Sequence, residues 1–119
     1  ISVSQNCELK DAEILAKNSI LNENIWKSGD RALFRQRYRP SIAYRLALVA
    51  EGRFDGMIAL GRTWEWDICA GHLLVSEAGG VVTTNFGNKI VFNSKVGSSK
   101  GIVAGNSSIN KSLMNELKI

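Results

Sequence analysis

In the run Trp64-Glu65-Trp66-Asp67-Ile68-Cys69-Ala70-Gly71, one carboxylate, Asp67, opens an apolar stretch that continues through Leu73-Leu74-Val75 to Glu77-Ala78-Gly79-Gly80. A carboxylate at the mouth of a helix can cap it by accepting a backbone N–H, worth about 1 kcal/mol, or it can offer its oxygens to a metal ion. Spacing alone favours the cap. A second opportunity lies at Ser41, which follows Pro40 and reads as the N-cap of another helix with Arg45 one turn on. Unpaired N–H groups at a helix start attract anions, so Ser41 and Arg45 could touch a phosphate or a hydroxyl, although most capping serines only cap. A third is the alternation of Arg35, Arg37 and Arg39 with Gln36 and Tyr38. A strand with one basic face has that pattern; it reads either as a solvated edge strand that discourages aggregation or as a wall that attracts phosphate.

The elements that would position these residues alternate along the chain. Ile1 to Ser4 reads as a strand, Leu9 to Asn18 as a helix carrying Leu9, Ala12, Ala16 and Ile20 near one side, and Leu33 to Arg39 as a strand. The Ser41 to Glu51 helix has a core stripe of Ile42, Leu46, Val49 and Ala50, with Gly52 as its stop. A strand from Asp55 to Leu60 leads to the Asp67 to Ala78 helix, apolar on nearly every face and so expected inside a core, with Cys69 buried, Trp66 as an anchor and Glu65 at the rim. Short strands follow at Val81 to Thr83, Ile90 to Phe92 and Ile102 to Ala104, then a helix from Ser107 to Leu117. The loop Asn93 to Lys100, with Gly97-Ser98-Ser99, reads as the most mobile stretch. The order implies a single α/β domain over residues 1–119, a layered mixed β-sheet flanked by helices.

Composition narrows the function classes. With 45% hydrophobic and 22% charged residues the chain has apolar material for one core. No apolar run approaches the roughly 20 residues that span a bilayer, so no membrane partner is expected. Cys7 and Cys69 are too few for a disulfide framework and suggest a reducing, cytoplasmic setting. A lone histidine, His72, argues against zinc and reads as a helix polar-face residue. The net charge of +4 comes with one basic stripe rather than a basic tract, and no zinc-finger or RNP-like motif is present, which speaks against a nucleic-acid polymer as partner.

Trp66-Asp67, the Ala70-Gly71 pair and Glu77-Ala78-Gly79-Gly80 together resemble the C-terminal signature of the inositol monophosphatase family, lithium-sensitive, magnesium-dependent phosphomonoesterases. The block from Ser41 to Gly56 is similar to the helix and strand that precede that signature. The resemblance covers Ser41 to the end, and Ile1 to Arg39 match only loosely. It implies the α/β fold of the family's C-terminal domain, with Asp67 as a catalytic ligand to Mg2+ and Ser41, Arg45 and Thr63 beside the substrate. Gly61-Arg62-Thr63-Trp64-Glu65-Trp66-Asp67 is similar to the Gly-x-Thr-x-x-Trp-Asp run of the branch that converts adenosine 3′,5′-bisphosphate to AMP, and Ala59-Leu60 stand where inositol-specific members resemble one another in carrying a glutamate. Trp64 then either packs or lies near a base. Pro40 replaces the glycine that usually precedes the Ser41 helix.

Two features of the family are absent: the paired-glutamate metal site and the Asp-Pro-Ile-Asp-Gly-type loop of its N-terminal half. Magnesium wants near-octahedral oxygen coordination, which one aspartate cannot supply. The chain therefore reads as the C-terminal half of a longer phosphatase, sharing its Mg2+ with ligands on the N-terminal half and inactive alone. A 3′(2′),5′-bisphosphate nucleotidase is the leading expectation, with an inositol-1-monophosphatase as one alternative and a non-catalytic binding or assembly domain as the other. A homodimer is compatible with the resemblance.

Overall fold

The computed structural model describes residues 1–22, 24–29, 33–90, 92 and 97–118. Five strands form one mixed sheet: β1 (Glu13–Leu15), β2 (Arg35–Arg37), β3 (Gly56–Trp64), β4 (Val81–Thr83) and β5 (Ser98–Gly105), in the order β2-β1-β3-β5-β4. β1 runs parallel to both β2 and β3, while β5 is antiparallel to β3 and β4. Among the described residues three helices flank the sheet: α1 (Ile42–Ala50), α2 (Glu65–Glu77) and α3 (Ser107–Glu116).

Alternation along the strands divides the core in two. Leu15, Met57, Ile102 and Ala104 face Leu46, Val49, Ile68 and Val75 of α1 and α2. Ile14, Ile58 and Val103 face Ile109 and Leu113 of α3, together with Trp26 and Phe34. Successive side chains of a strand point to opposite faces, so each central strand feeds both layers. This is the layered mixed sheet that the alternating pattern implies.

The segment Leu9 to Asn18 is not a helix. It contains a 3-10 turn (Leu9–Asp11), β1, and the start of a second 3-10 turn (Asn18–Leu21). Ala12, Ile14, Leu15 and Ala16 are all fully buried, as a parallel strand covered on both faces requires, and a short continuous apolar run does not reveal its period. Ile1–Ser4 joins no strand; the Val3 N–H donates instead to the Ala78 carbonyl at 3.0 Å. Only Arg35–Arg37 of the basic stripe is strand, and it lies at the sheet edge, where Arg37 pairs with Glu13 at 3.2 Å. Ile90 lies outside any strand, residue 91 is outside the described residues, and Lys89 makes an isolated bridge to Thr83. Of the expected loop, residues 93–96 are outside the described residues, while Ser98–Lys100 begin β5.

α1 starts and ends as its sequence demands. The Ser41 hydroxyl accepts from the Tyr44 N–H at 3.3 Å, and Gly52 takes φ +80° just past the end. A Cβ on Gly52 would lie 2.9 Å from the Ser2 carbonyl, so the stop also makes room for the N-terminal segment. α3 is capped by Asn106, whose side-chain oxygen accepts from Ile109 N–H at 2.8 Å while its amide donates to the carbonyls of Ser4 and Asn6. No helix among the described residues is long and apolar enough to cross a membrane.

Asp55, just before β3, ties the N-terminal segment to the sheet. Its carboxylate accepts from the Ser4 hydroxyl at 2.5 Å and from the Glu13 N–H at 2.7 Å. Asp55→Ala removes both charge-assisted bonds and leaves the Glu13 N–H half-buried without its acceptor, so it should cost about 2–3 kcal/mol. Chemical denaturation should show this as a lower midpoint with an unchanged slope.

Candidate active site

At one end of β3 the sheet opens into a cleft of ≈ 430 Å³. Its walls are Ile58 to Thr63 of β3, Ile42 and Arg45 of α1, and Lys17, Ser19, Ile20, Asn22 and Ile25 from the turn after β1. The pairing of β3 with β5 shifts register between Ala59 and Arg62. An irregularity of that kind bends a strand and re-aims the residues beyond it.

Three cations line the cleft, Lys17, Arg45 and Arg62, and no carboxylate does among the described residues. Arg45 is the most unusual of them, being only 4% exposed. Its Nε donates to the Arg39 carbonyl at 2.6 Å and its guanidinium lies 5.2 Å from the Tyr38 ring centroid. No carboxylate pairs with it among the described residues. A guanidinium carries five N–H donors, so one bond to a carbonyl leaves the terminal amino groups to face an anion.

The structure brings together two of the four residues singled out from the sequence. Arg45 and Thr63 line the same cleft, and Thr63 is only 3% exposed. Ser41 borders the cleft residue Ile42 but is itself exposed, and it sits at φ +72°, ψ 121°. A non-glycine residue there is strained by about 1–3 kcal/mol. Asp67 is exposed in the first turn of α2 and does not line the cleft.

Three expectations about α2 need correction. Asp67, expected at the N-cap or in the first turn, lies in the first turn; the N-cap is Trp64, and the Asp67 carboxylate makes no capping bond among the described residues. Glu65 is buried rather than at a rim, its N–H donating to the Gly97 carbonyl at 3.0 Å. The helix is covered on one side only: Ile68, Gly71 and Val75 are buried, whereas Trp66 is 70% exposed, and Cys69, Ala70, Leu73 and Leu74 are also exposed. The all-round apolar pattern pointed to a helix inside a core, and in this chain only one face of it is covered. His72, half-buried, meets Phe92 edge to face at 5.1 Å, and burial lowers its pKa from the ordinary imidazole value. Its contact is one of packing, and burial favours its neutral form.

Lys17 and Arg62 were not singled out from the sequence. Arg62 lies beyond the expected Asp55 to Leu60 strand, and only the longer β3, Gly56–Trp64, carries it to the cleft. Lys17 gave no signal either, because it reaches the cleft only when β1 is read as a strand. No group of three or more His, Cys, Asp or Glu that could hold a metal ion occurs among the described residues. Asp67 fits the role of one oxygen ligand, since its carboxylate is exposed and unpaired among the described residues, but the residues present do not complete a magnesium site.

A mixed sheet with helices on both faces and a cationic cleft at the end of its central strand defines a layered α/β domain suited to holding an anion. The chain belongs to the Inositol monophosphatase family, whose sequence profile matches residues 1–118. It is 33% identical over 116 residues, 96% of this chain, to a Bifunctional NADP phosphatase/NAD kinase of Methanococcus maripaludis. Among solved structures it is similar to the extragenic suppressor protein suhB from Bartonella henselae, with 34% identity over 96% of this chain and 45% of that one and a TM-score of 0.75. It is also similar to an inositol monophosphatase from Anabaena (Nostoc) sp. PCC 7120, with 30% identity over 97% and 46% of the two chains and a TM-score of 0.72. The chain spans 20%, 32% and 27% of the length of three curated relatives it matches.

Proposed function

We propose that this chain is the substrate-side half of a metal-dependent phosphomonoesterase that acts on a nucleotide carrying a phosphate on its ribose, adenosine 3′,5′-bisphosphate foremost. The observation that carries this reading is the buried, carboxylate-free Arg45 in a cleft that also holds Lys17 and Arg62. A desolvated guanidinium without a counter-ion is costly, and an arriving phosphate supplies the missing charge with short, strong hydrogen bonds. Thr63 lines the same cleft, where a hydroxyl could contact the sugar. A nucleotide is also what the relative from Methanococcus maripaludis acts on by its name, Bifunctional NADP phosphatase/NAD kinase.

The chain's own contribution is binding and orientation. Arg45, Lys17 and Arg62 hold the phosphate, and Arg45 does so from a position locked by the Arg39 carbonyl and the Tyr38 ring. A divalent metal would polarise the phosphoryl oxygens and activate water when bound. Asp67 would provide one of its oxygens, and the other ligands, with the metal identity expected to be magnesium, lie outside the described residues. The apolar outer face of α2, with Ala70, Leu73 and Leu74 exposed, is the surface on which the half that brings them would pack.

The test is metal-dependent phosphate release from adenosine 3′,5′-bisphosphate and from inositol 1-phosphate. Each is assayed with this chain alone and with the protein region encoded immediately upstream added. Turnover should occur only in the combined sample, favour the bisphosphate, and fall by roughly 100-fold or more in Asp67→Asn, which keeps the shape but removes a metal-binding charge. Turnover by this chain alone would refute the shared site. Silence of both samples with the chain folded would leave the non-catalytic binding domain.

A further inference from the structure

We propose that Gln36 is a positioning residue of the cleft: from the edge strand β2 it fixes the peptide from which Lys17 enters the anion site. The inference rests on the phosphate-binding reading of the cleft and names what holds one of its cations in place.

Among the described residues β2 contributes no side chain to the cleft lining. Arg35 and Arg37 are exposed on one side of the strand, and Gln36 between them is turned the other way and half-buried. In the parallel pairing with β1, Gln36 stands opposite Ile14. β1 ends at Leu15, yet Ala16 stays tied to β2 through both of its backbone groups. Its N–H donates to the Arg37 carbonyl at 2.8 Å, and its carbonyl accepts from Gln36 Nε2 at 2.6 Å. Ala16 is fully buried, and a buried carbonyl past the end of a ladder needs a donor from elsewhere. The glutamine amide supplies it.

The Ala16 carbonyl shares one planar peptide unit with the Lys17 N–H, so fixing the first orients the second. On its other side Lys17 leads into the 3-10 turn Asn18–Leu21, where the Ile20 N–H donates to the Lys17 carbonyl at 3.0 Å. Lys17, Ser19, Ile20 and Asn22 all line the cleft, so Gln36 sets the point at which this wall leaves the sheet. Three residues further on, the Arg39 carbonyl accepts from Arg45 Nε at 2.6 Å. Two cations from separated elements, Lys17 after β1 and Arg45 in α1, are thus held against one run of chain, Gln36 to Arg39. A lysine is a point charge on a flexible stem, and fixing the backbone that carries it lowers the ordering cost of binding an anion. The strand marked in the sequence by its arginines acts on the cleft through its glutamine.

The experiment measures binding of inorganic phosphate by calorimetry to the full 119-residue chain, to Gln36→Met, to Lys17→Met and to the double variant. Methionine has nearly the length of glutamine and no amide donor. Gln36→Met should weaken phosphate binding roughly 5-fold, the equivalent of one ordinary hydrogen bond, and Lys17→Met by at least as much. The double variant should bind no more weakly than Lys17→Met, because an anchor has nothing left to position once the ammonium is gone; a double-mutant cycle resolves non-additivity of this size. A glutamine that only supports the fold predicts the same loss with or without Lys17. Gln36→Asn, which keeps the amide but shortens its reach, is measured beside Gln36→Met and should show the same dependence on Lys17, with circular dichroism on every variant. Unchanged affinity in the folded Gln36 variants, or a loss that persists in the Lys17→Met background, overturns the positioning role alone. Unfolding of both Gln36 variants makes the residue structural and overturns it too. Failure of the unaltered chain to bind phosphate overturns the cleft reading, and the positioning role with it.

Discussion

Arg45→Met should abolish phosphate binding to the cleft, by about 100-fold, while leaving the fold within about 1 kcal/mol of its original stability. The two effects separate because, among the described residues, the buried guanidinium has one hydrogen bond, to the Arg39 carbonyl, and no carboxylate partner. Methionine keeps most of the packing over Tyr38 and removes a desolvated charge, and replacing buried charge with apolar volume is often neutral or stabilising. It cannot donate to an anion. Thermal unfolding with and without inorganic phosphate reads both quantities at once, because a ligand that binds only the folded state raises Tm with its concentration. The original chain should gain stability with phosphate and the variant should not. A variant that unfolds several degrees lower yet still responds to phosphate would make Arg45 a structural residue and move the anion site to Lys17 and Arg62. Arg45→Lys should be intermediate, since a point charge lacks the planar fork that grips two phosphate oxygens.

The second large effect concerns the seam between α1 and α2. Gly71 faces Leu46 so closely that a Cβ would stand 2.6 Å from its Cδ1 and 2.7 Å from its Cβ. A leucine Cβ cannot rotate away, so the two helices must move apart. Overpacking of this kind costs about 1–3 kcal/mol, against which alanine's better helix propensity returns at most about 1 kcal/mol. Gly71→Ala should therefore lower Tm by several degrees, and Gly71→Val, which adds β-branching, by more. Gly61→Ala is the control: nothing lies within 4 Å of a Cβ placed there, so its Tm should stay nearly unchanged. Parallel loss in both variants would show that backbone freedom, not the helix seam, limits stability. Since α1 carries Arg45 into the cleft, a shift of α1 forced at Gly71 should also weaken phosphate binding.

Family, layered α/β class and the bounds of α1 and α3 were legible in the sequence because they rest on short-range chemistry. Ser41 caps, Gly52 stops, and the stripe of Leu46, Val49 and Ala50 has the helical period, all within a few residues of one another. The Trp66-Asp67 and Glu77-Ala78-Gly79-Gly80 signature is likewise contiguous, so the resemblance needed no fold to be seen. β1 was not legible: its apolar residues are compatible with helix or strand, and only pairing with β2 and β3 decides between them. The α2 pattern spoke truly of apolar surface on every side, yet the chain covers one side, so the exposure of Trp66, Leu73 and Leu74 could be known only from what packs where. The cleft belongs to the same class of fact. Lys17, Arg45 and Arg62 come from three separated elements, and their charges meet because a turn after β1, a helix start and an irregular strand end converge. Local propensity and capping act over a few residues and are written in the sequence itself; burial and charge neighbours depend on long-range packing, and only the tertiary structure decides them.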